Sequence, residues 1–268
     1  MNPENYLDAT RGDMRLMSKL KSHLLRRTPQ LTPAILKWMA ESPSTRDPRL
    51  FLYIWRHCGL FKALGFRIYD DKFYADHVRL EKAYADLASI IKSVFSPESV
   101  CDVGCGNAFI INHLKQSGVR VKGIEGSRDV LPYIPAAVRS EVLIGSVTQP
   151  FCLGTFDLVV SMEVAEHIPK AKSAILVKNL VQHARASVLF TAAAPGQWGD
   201  GHINCQPKSY WERLFCEQGW CVNENLQTEV LLAIRQRPPI NELLPWISRN
   251  LMVLTPCCPE TCDAGWVT

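Results

Sequence analysis

This sequence predicts an α/β fold, a mostly parallel sheet with helices on both faces, and two stretches carry that expectation. The first is Ser99 to Gly106, SVCDVGCG, where Val100, Cys101 and Val103 read as a short buried strand entering a glycine turn. Ala108 to Leu114 has the pattern of a helix start, and Val119 to Ile124 is a second apolar run that closes on Glu125. The order is therefore strand, glycine turn, helix, strand, acid, the first half of a dinucleotide-type fold. The second stretch is Phe156 to Met162, apolar on both faces as a central parallel strand should be.

Composition sets the frame for these elements. The 268 residues are 47% hydrophobic and 21% charged, which suits one sizeable core with additions. A net charge of +4 is too mild to indicate a nucleic-acid partner without a concentrated patch. No uninterrupted apolar run reaches the length of a membrane span, and MNPENYLD lacks a charged-then-apolar signal pattern, so a cytoplasmic protein is expected. Of the 10 cysteines, Cys101, Cys105, Cys152, Cys205, Cys216 and Cys221 fall within apolar patterns of a large domain and read as reduced thiols. Cys257, Cys258 and Cys262 gather in the tail, where a structural zinc would need a fourth ligand.

Three segments follow: a helical extension over 1–75, the main domain over 76–255 and a flexible tail over 256–268. Within the extension, Leu16, Leu20 and Leu24 share a face of Met14 to Arg27, with basic residues around the others. That pattern suits a surface helix, or a membrane or RNA contact. Thr32 and Pro33 mark a helix start leading to Ala40, and Pro43 and Pro48 a loop before Arg49 to Leu64. Phe51, Tyr53, Trp55 and Phe61 there suit a substrate wall or packing on the main domain.

In the main domain, Glu81 to Val94 reads as a helix ended by Pro97. Val130 to Val138, broken by Pro132 and Pro135, predicts a short irregular helix, and Glu141 to Ile144 the third strand. Lys170 to His183 is expected as helix and Ala186 to Thr191 as the fifth strand, followed by a long glycine-rich loop from Ala193 to Cys205. Pro207 opens a helix; Trp220 to Glu224 is the expected sixth strand, Gln227 to Arg235 a helix, and Leu251 to Leu254 the seventh strand.

The glycine turn is the candidate ligand site. A nicotinamide-binding turn would read G-x-G-x-x-G, but Phe109 occupies the third glycine position, and Asp102 lies two residues before Gly104. A carboxylate there suits a cationic ligand better than a pyrophosphate, and Glu125 can accept from two ribose hydroxyls. Asp102-x-Gly104-x-Gly106-x-Ala108 resembles motif I of the class I S-adenosylmethionine-dependent methyltransferases, with Ala108 for the last glycine. From about Tyr74 to Gly219 the chain is similar to their small-molecule branch, which includes the O-methyltransferases of quinone biosynthesis; FDLVVSMEVAEHI, Phe156 to Ile168, carries much of the likeness.

The resemblance implies a Rossmann-like seven-stranded sheet, helices on both faces, and S-adenosylmethionine as cofactor. It implies a small-molecule acceptor, an oxygen nucleophile, and cofactor contacts from Asp102, Gly104, Cys105, Gly106, Glu125, Gly126, Met162 and Glu163. Ser146 with Val147 takes the adenine position, where relatives commonly have Asp, and Tyr74 lies where relatives bring a flexible segment over the cofactor. A hydroxyl acceptor must lose a proton, for which His202 on the glycine-rich loop is the first candidate and His167 the second. Either histidine also suits a structural role.

Glu163, Glu166 and His167 are spaced as neighbours on one helical turn. In one reading Glu163 and His167 line the site while Glu166 is a helix-start charge, with no metal. In another, Glu-x-x-Glu-His resembles the way small-RNA 3′-terminal 2′-O-methyltransferases hold a divalent ion, His202 adding a ligand, although GHINCQPKSYW does not reproduce their downstream spacing. A third reading is a cofactor-binding protein without catalysis.

Overall fold

The computed structural model describes residues 69–257 apart from Trp198. The chain divides into two compact units, Met1–Arg67 and Ile68–Thr268, and the described residues belong to the second. The helices expected within residues 1–68, with Phe51, Tyr53, Trp55 and Phe61, lie outside the described residues, as do Cys258 and Cys262.

Seven strands form one sheet: β1 (Ser99–Val103), β2 (Arg120–Glu125), β3 (Val142–Ile144), β4 (Phe156–Met162), β5 (Ala184–Thr191), β6 (Trp220–Val222) and β7 (Met252–Pro256). Their order is β3-β2-β1-β4-β5-β7-β6. Neighbours from β3 to β5 run parallel, while β7 is antiparallel to both β5 and β6. The strand order reverses between β1 and β4, and in open α/β sheets ligands bind at the carboxyl ends of the strands beside such a reversal. Asp102 of β1 is registered against Gly123 of β2 and Val160 of β4, which places the glycine turn at that point.

The helices are α1 (Asp71–His77), α2 (Glu81–Phe95), α3 (Phe109–Gln116), α4 (Ser173–His183), α5 (Lys208–Cys216), α6 (Glu224–Arg235), α7 (Pro238–Leu243) and α8 (Trp246–Asn250). They cover both faces. On one, Leu87 and Ile91 of α2, Ile111 and Leu114 of α3, and Val230 and Ile234 of α6 pack over Val100 and Val160. On the other, Leu176 and Leu180 of α4 with Trp211 and Phe215 of α5 pack over Cys101, Val159 and Phe190. β1 is buried along its whole length, as a central strand covered on both faces must be.

Several boundaries differ from the sequence reading. Tyr69 to Tyr74 leads into a capped helix rather than a flexible cover: the Asp70 carboxylate accepts from the Phe73 N–H, and Tyr74 is 2% exposed. The sixth strand stops at Val222 because Asn223 caps the next helix, accepting from the Leu226 N–H, so α6 begins at Glu224 rather than Gln227. Pro238 starts α7, a further helix beyond those expected, since a first-turn residue needs no N–H partner. Lys170–Lys172 is a 3₁₀ turn before α4, and β5 follows α4 directly, Ala184 pairing with Phe156. The irregular helix expected near Pro132 is a 3₁₀ segment, Arg128–Tyr133. Cys101, Cys105, Cys152, Cys205, Cys216 and Cys221 are free thiols.

Candidate active site

The turn after β1 is tied to β2 by its own backbone. The N–H groups of Gly104 and Cys105 both donate to the Ile124 carbonyl, at 2.8 and 3.1 Å. Gly104 holds φ +81°, and a Cβ there would lie 2.4 Å from Val164 Cγ2, so both backbone and space require glycine. Ala108 follows with φ 59° and no exposure, giving α3 its left-handed entry where a third glycine would be roomier.

Glu125, at the end of β2, is held by three donors. Its Oε2 accepts from the Gly106 N–H at 3.0 Å, and its Oε1 from the Ser127 N–H at 3.0 Å and the Tyr74 hydroxyl at 3.2 Å. Tyr74 therefore acts on the site through Glu125, and burial together with that carboxylate raises its phenol. Asn107 fixes the same helix, its amide donating to the Tyr74 carbonyl at 3.0 Å.

Asp102 is 3% exposed and accepts no hydrogen bond from a described residue. Burial, and then the charge of Glu125, pushes its carboxyl up to about 7. Cys105 is buried in the turn, Gly126 is exposed, and Met162 is half-buried at the end of β4. Ser146 is exposed, and its hydroxyl accepts from the Thr148 N–H at 3.2 Å and meets Thr148 Oγ1 at 2.8 Å. Val147 is buried beside it, its carbonyl accepting from Asn179.

A second polar group gathers at the end of β4. The helical turn expected to carry Glu163, Glu166 and His167 together is absent: Glu163 is left-handed, with φ 54°, and only Ala165–His167 forms a short 3₁₀ turn. Its N–H is held by the Thr191 carbonyl at 3.1 Å and hydroxyl at 2.9 Å. Asn250 donates to its Oε1 at 3.0 Å and Gln197 to its Oε2 at 3.2 Å. Nor is Glu166 a solvated charge at a helix start. It is fully buried, its two carboxylate oxygens meet no hydrogen-bond partner, and burial with Glu163 nearby raises its carboxyl far above the usual range.

The glycine-rich loop is sewn to this turn, since Ile203 and Asn204 both donate to the Glu166 carbonyl at 2.9 Å. His202 Nδ1 donates to the Gln197 carbonyl at 3.0 Å, which leaves Nε2 with its lone pair, 3.9 Å from Glu166 Oε1. Its ring packs edge-on against His167, with centroids 5.0 Å apart, and Tyr69 also packs edge-on against His167 at 5.6 Å. Burial, with His202 alongside, lowers His167 to about 4, so its imidazole is neutral at physiological pH. One donor atom from each of Glu166, His167 and His202 lies within 4.8 Å of the others.

Thus Asp102, Gly104, Gly106, Glu125 and Tyr74 form one cradle, and Glu163, Glu166, His167 and His202 a second group. Burial, and then the charges of Glu163 and Asp102, raise the Tyr84 phenol. Sequence reasoning gave Tyr84 no part in the site. It also missed Gln197 and Asn250, which lie 34 and 87 residues from the Glu163 they hold.

Residues 101–185 match the family described as Methyltransferase domain. The ubiquinone biosynthesis O-methyltransferase of Ralstonia nicotianae is 32% identical over 83 residues, 28% of this chain and 35% of that protein. The chain thus spans about a third of that relative's length. Among solved structures, DesVI of Streptomyces venezuelae superposes with a TM-score of 0.50 at 16% identity, covering 70% of this chain and 96% of that one. CalS10 of Micromonospora echinaspora, an amino pentose methyltransferase with S-adenosylmethionine bound, gives 0.51 at 14% identity, covering 71% and 97%. The seven-stranded fold of this chain is the fold of these proteins. Among the described residues, no helix is long and apolar enough to cross a membrane.

Proposed function

We propose that this chain transfers a methyl group from S-adenosylmethionine to a small-molecule acceptor, through a hydroxyl oxygen of that acceptor. The observation that carries the reading is the pairing of Asp102 with Glu125 on either side of a turn that has room for no side chain at Gly104. A buried carboxylate with no donor is costly unless a cation meets it, and an α-ammonium is such a cation. Glu125, already oriented by Gly106, Ser127 and Tyr74, retains lone pairs for ribose hydroxyls. The residues present therefore fit the cofactor.

When bound, S-adenosylmethionine supplies an electrophilic methyl on a sulfonium. The chain's own residues hold and orient. Asp102 takes the amino-acid end and Glu125 the ribose, while Gly104, Cys105, Gly106 and Gly126 allow close approach of the backbone. Ser146 and Val147 flank the adenine, with Ser146 Oγ contributing what its contact with Thr148 leaves free. Met162 and Glu163 close the crevice at the end of β4. Alignment of this kind contributes on the order of 7 kcal/mol to an in-line displacement.

An oxygen nucleophile is supported by the likeness to the Ralstonia O-methyltransferase and by the neutral imidazole of His167 with His202 packed beside it, the two rings acting on the acceptor hydroxyl. Incubation with methyl-labelled S-adenosylmethionine and a panel of phenols, catechols and amines tests this. Label transferred to an ether oxygen supports it; label found only on nitrogen removes the oxygen assignment.

A further inference from the structure

We propose that Lys170 and Arg213, gathered on the ring of Tyr210, hold a carboxylate or phosphate group that the methyl acceptor carries apart from its reacting hydroxyl. The Lys170 ammonium lies 5.3 Å from the centre of that half-buried ring and the Arg213 guanidinium carbon 5.7 Å from it. The two charges are therefore within roughly 11 Å of each other, and both are exposed. Among the described residues neither closes an ion pair. Glu212, beside Arg213 in the chain, acts on the Lys208 ammonium instead. Lys172 adds a third exposed cation in the same turn as Lys170. Like charges so placed repel mildly, and an anion seated between them replaces that repulsion with two attractions. A planar guanidinium beside an ammonium suits the oxygens of a carboxylate or a phosphate.

The patch borders the crevice. Lys170 opens the 3₁₀ turn before α4, just past the carboxyl end of β4, while Tyr210 and Arg213 lie on α5, beyond the loop that leaves β5. That loop carries His202 and is fastened to this corner, since the Asn204 amide donates to the Ala165 carbonyl at 3.3 Å and to the Ser173 hydroxyl at 3.0 Å. Lys170 follows His167 by three residues, so their Cα atoms are at most about 11 Å apart. An acceptor whose hydroxyl meets the two imidazoles reaches the patch with an anion on the order of 10 Å from that oxygen. The backbone favours the same charge: α4 packs against α5, and neither has an acid in its first turn or a side-chain cap.

This assignment rests on the methyl transfer proposed above and adds to it a choice among acceptors. A contact so far from the reacting oxygen is the same in the ground and transition states, so it lowers KM and leaves kcat alone. An ester in the same place offers no charge and gains nothing.

The test uses dihydroxyphenylpropionate, its methyl ester and its phosphonate analogue as acceptors, with the full-length wild type and a variant carrying Lys170→Gln and Arg213→Gln. Each compound is also titrated into isotope-labelled protein followed by NMR. KM for the two anions should rise roughly 10-fold in the variant at unchanged kcat, while the ester is handled alike by both proteins. The wild-type preference for the anions should shrink as salt is raised. In the binding arm the two anions, and not the ester, should shift the amide resonances of Tyr210 and Arg213, and the variant should lose the effect. Equal handling of ester and anions by the wild type, a preference or shift that survives in the variant, or inorganic phosphate bound there without competition from either anionic acceptor would overturn the proposal. Anion-specific shifts with no methylation of any acceptor would uphold the anion site and count against methyl transfer. S-adenosylhomocysteine affinity, which the variant should keep, reports on the Asp102 and Glu125 cradle alone, so failure of either result is separable from failure of the other.

Discussion

The Gly106 N–H donates to Glu125 Oε2 at 3.0 Å, which makes the glycine turn and the acid of the next strand one mechanical unit. Glu125→Gln removes the charge and leaves one acceptor oxygen for Gly106, Ser127 and Tyr74 to share. Hydrogen bonds to a charged group contribute about 1.5–3 kcal/mol, so S-adenosylhomocysteine affinity should fall roughly 10-fold to 100-fold. Calorimetry of the variant measures this directly.

Asp102 should make the empty protein less stable as pH rises. Its folded carboxyl titrates near 7 against an ordinary 3.8, so between these values the folded state holds a proton that the unfolded state has lost. Stability from this group is full below about 3.8, declines as pH rises through the window, and is lost above 7. The cost is on the order of 4 kcal/mol. Asp102→Asn should therefore stabilise the cofactor-free protein more at pH 8 than at pH 5 in urea titrations, while abolishing the rise in cofactor affinity from pH 6 to pH 8 expected of the wild type.

Gly104→Ala combines a left-handed backbone with a collision against Val164 Cγ2, so it should destabilise by on the order of 2 kcal/mol or more. Val164→Ala removes the colliding methyls but not the backbone strain. A double-mutant cycle read by thermal melts should show the second change recovering about 1 kcal/mol in the Gly104→Ala background. Simple additivity would mean that the contact with Val164 carries no weight.

Gln197 has two grips on the site: its side chain donates to Glu163, and its backbone carbonyl orients His202. Gln197→Ala keeps the second and breaks the first, and Asn250→Ala removes the other amide held by Glu163. Both should lower kcat several-fold while leaving cofactor affinity within about 2-fold, since neither touches Asp102 or Glu125. Steady-state kinetics with parallel calorimetry separates the two effects.

The sheet was legible because its central strands declare themselves locally. Val100 to Val103 and Phe156 to Met162 read as buried strands, Asp102 lies near the end of the first and Glu125 at the end of Val119 to Ile124, so the place of both acids beside the glycine turn follows from chain order alone. The polar group at β4 was named but misshapen. Spacing put Glu163 and Glu166 on one helical turn, whereas two hydrogen bonds from the Glu163 N–H to Thr191 hold it left-handed. Such a conformation is imposed by a neighbouring strand and leaves no periodicity. Gln197, Asn250 and Tyr84 were missed for the same reason, because their roles arise from elements brought together only by the sheet.

Titration of the wild-type chain with S-adenosylhomocysteine, alongside NAD and Asp102→Ala, reaches the central claim most directly. One equivalent of S-adenosylhomocysteine should bind, with no heat from NAD and affinity lost at least about 100-fold in Asp102→Ala. Binding of NAD in its place, or adenosyl binding indifferent to Asp102, would show that the two acids do not form a cradle for a cationic nucleoside.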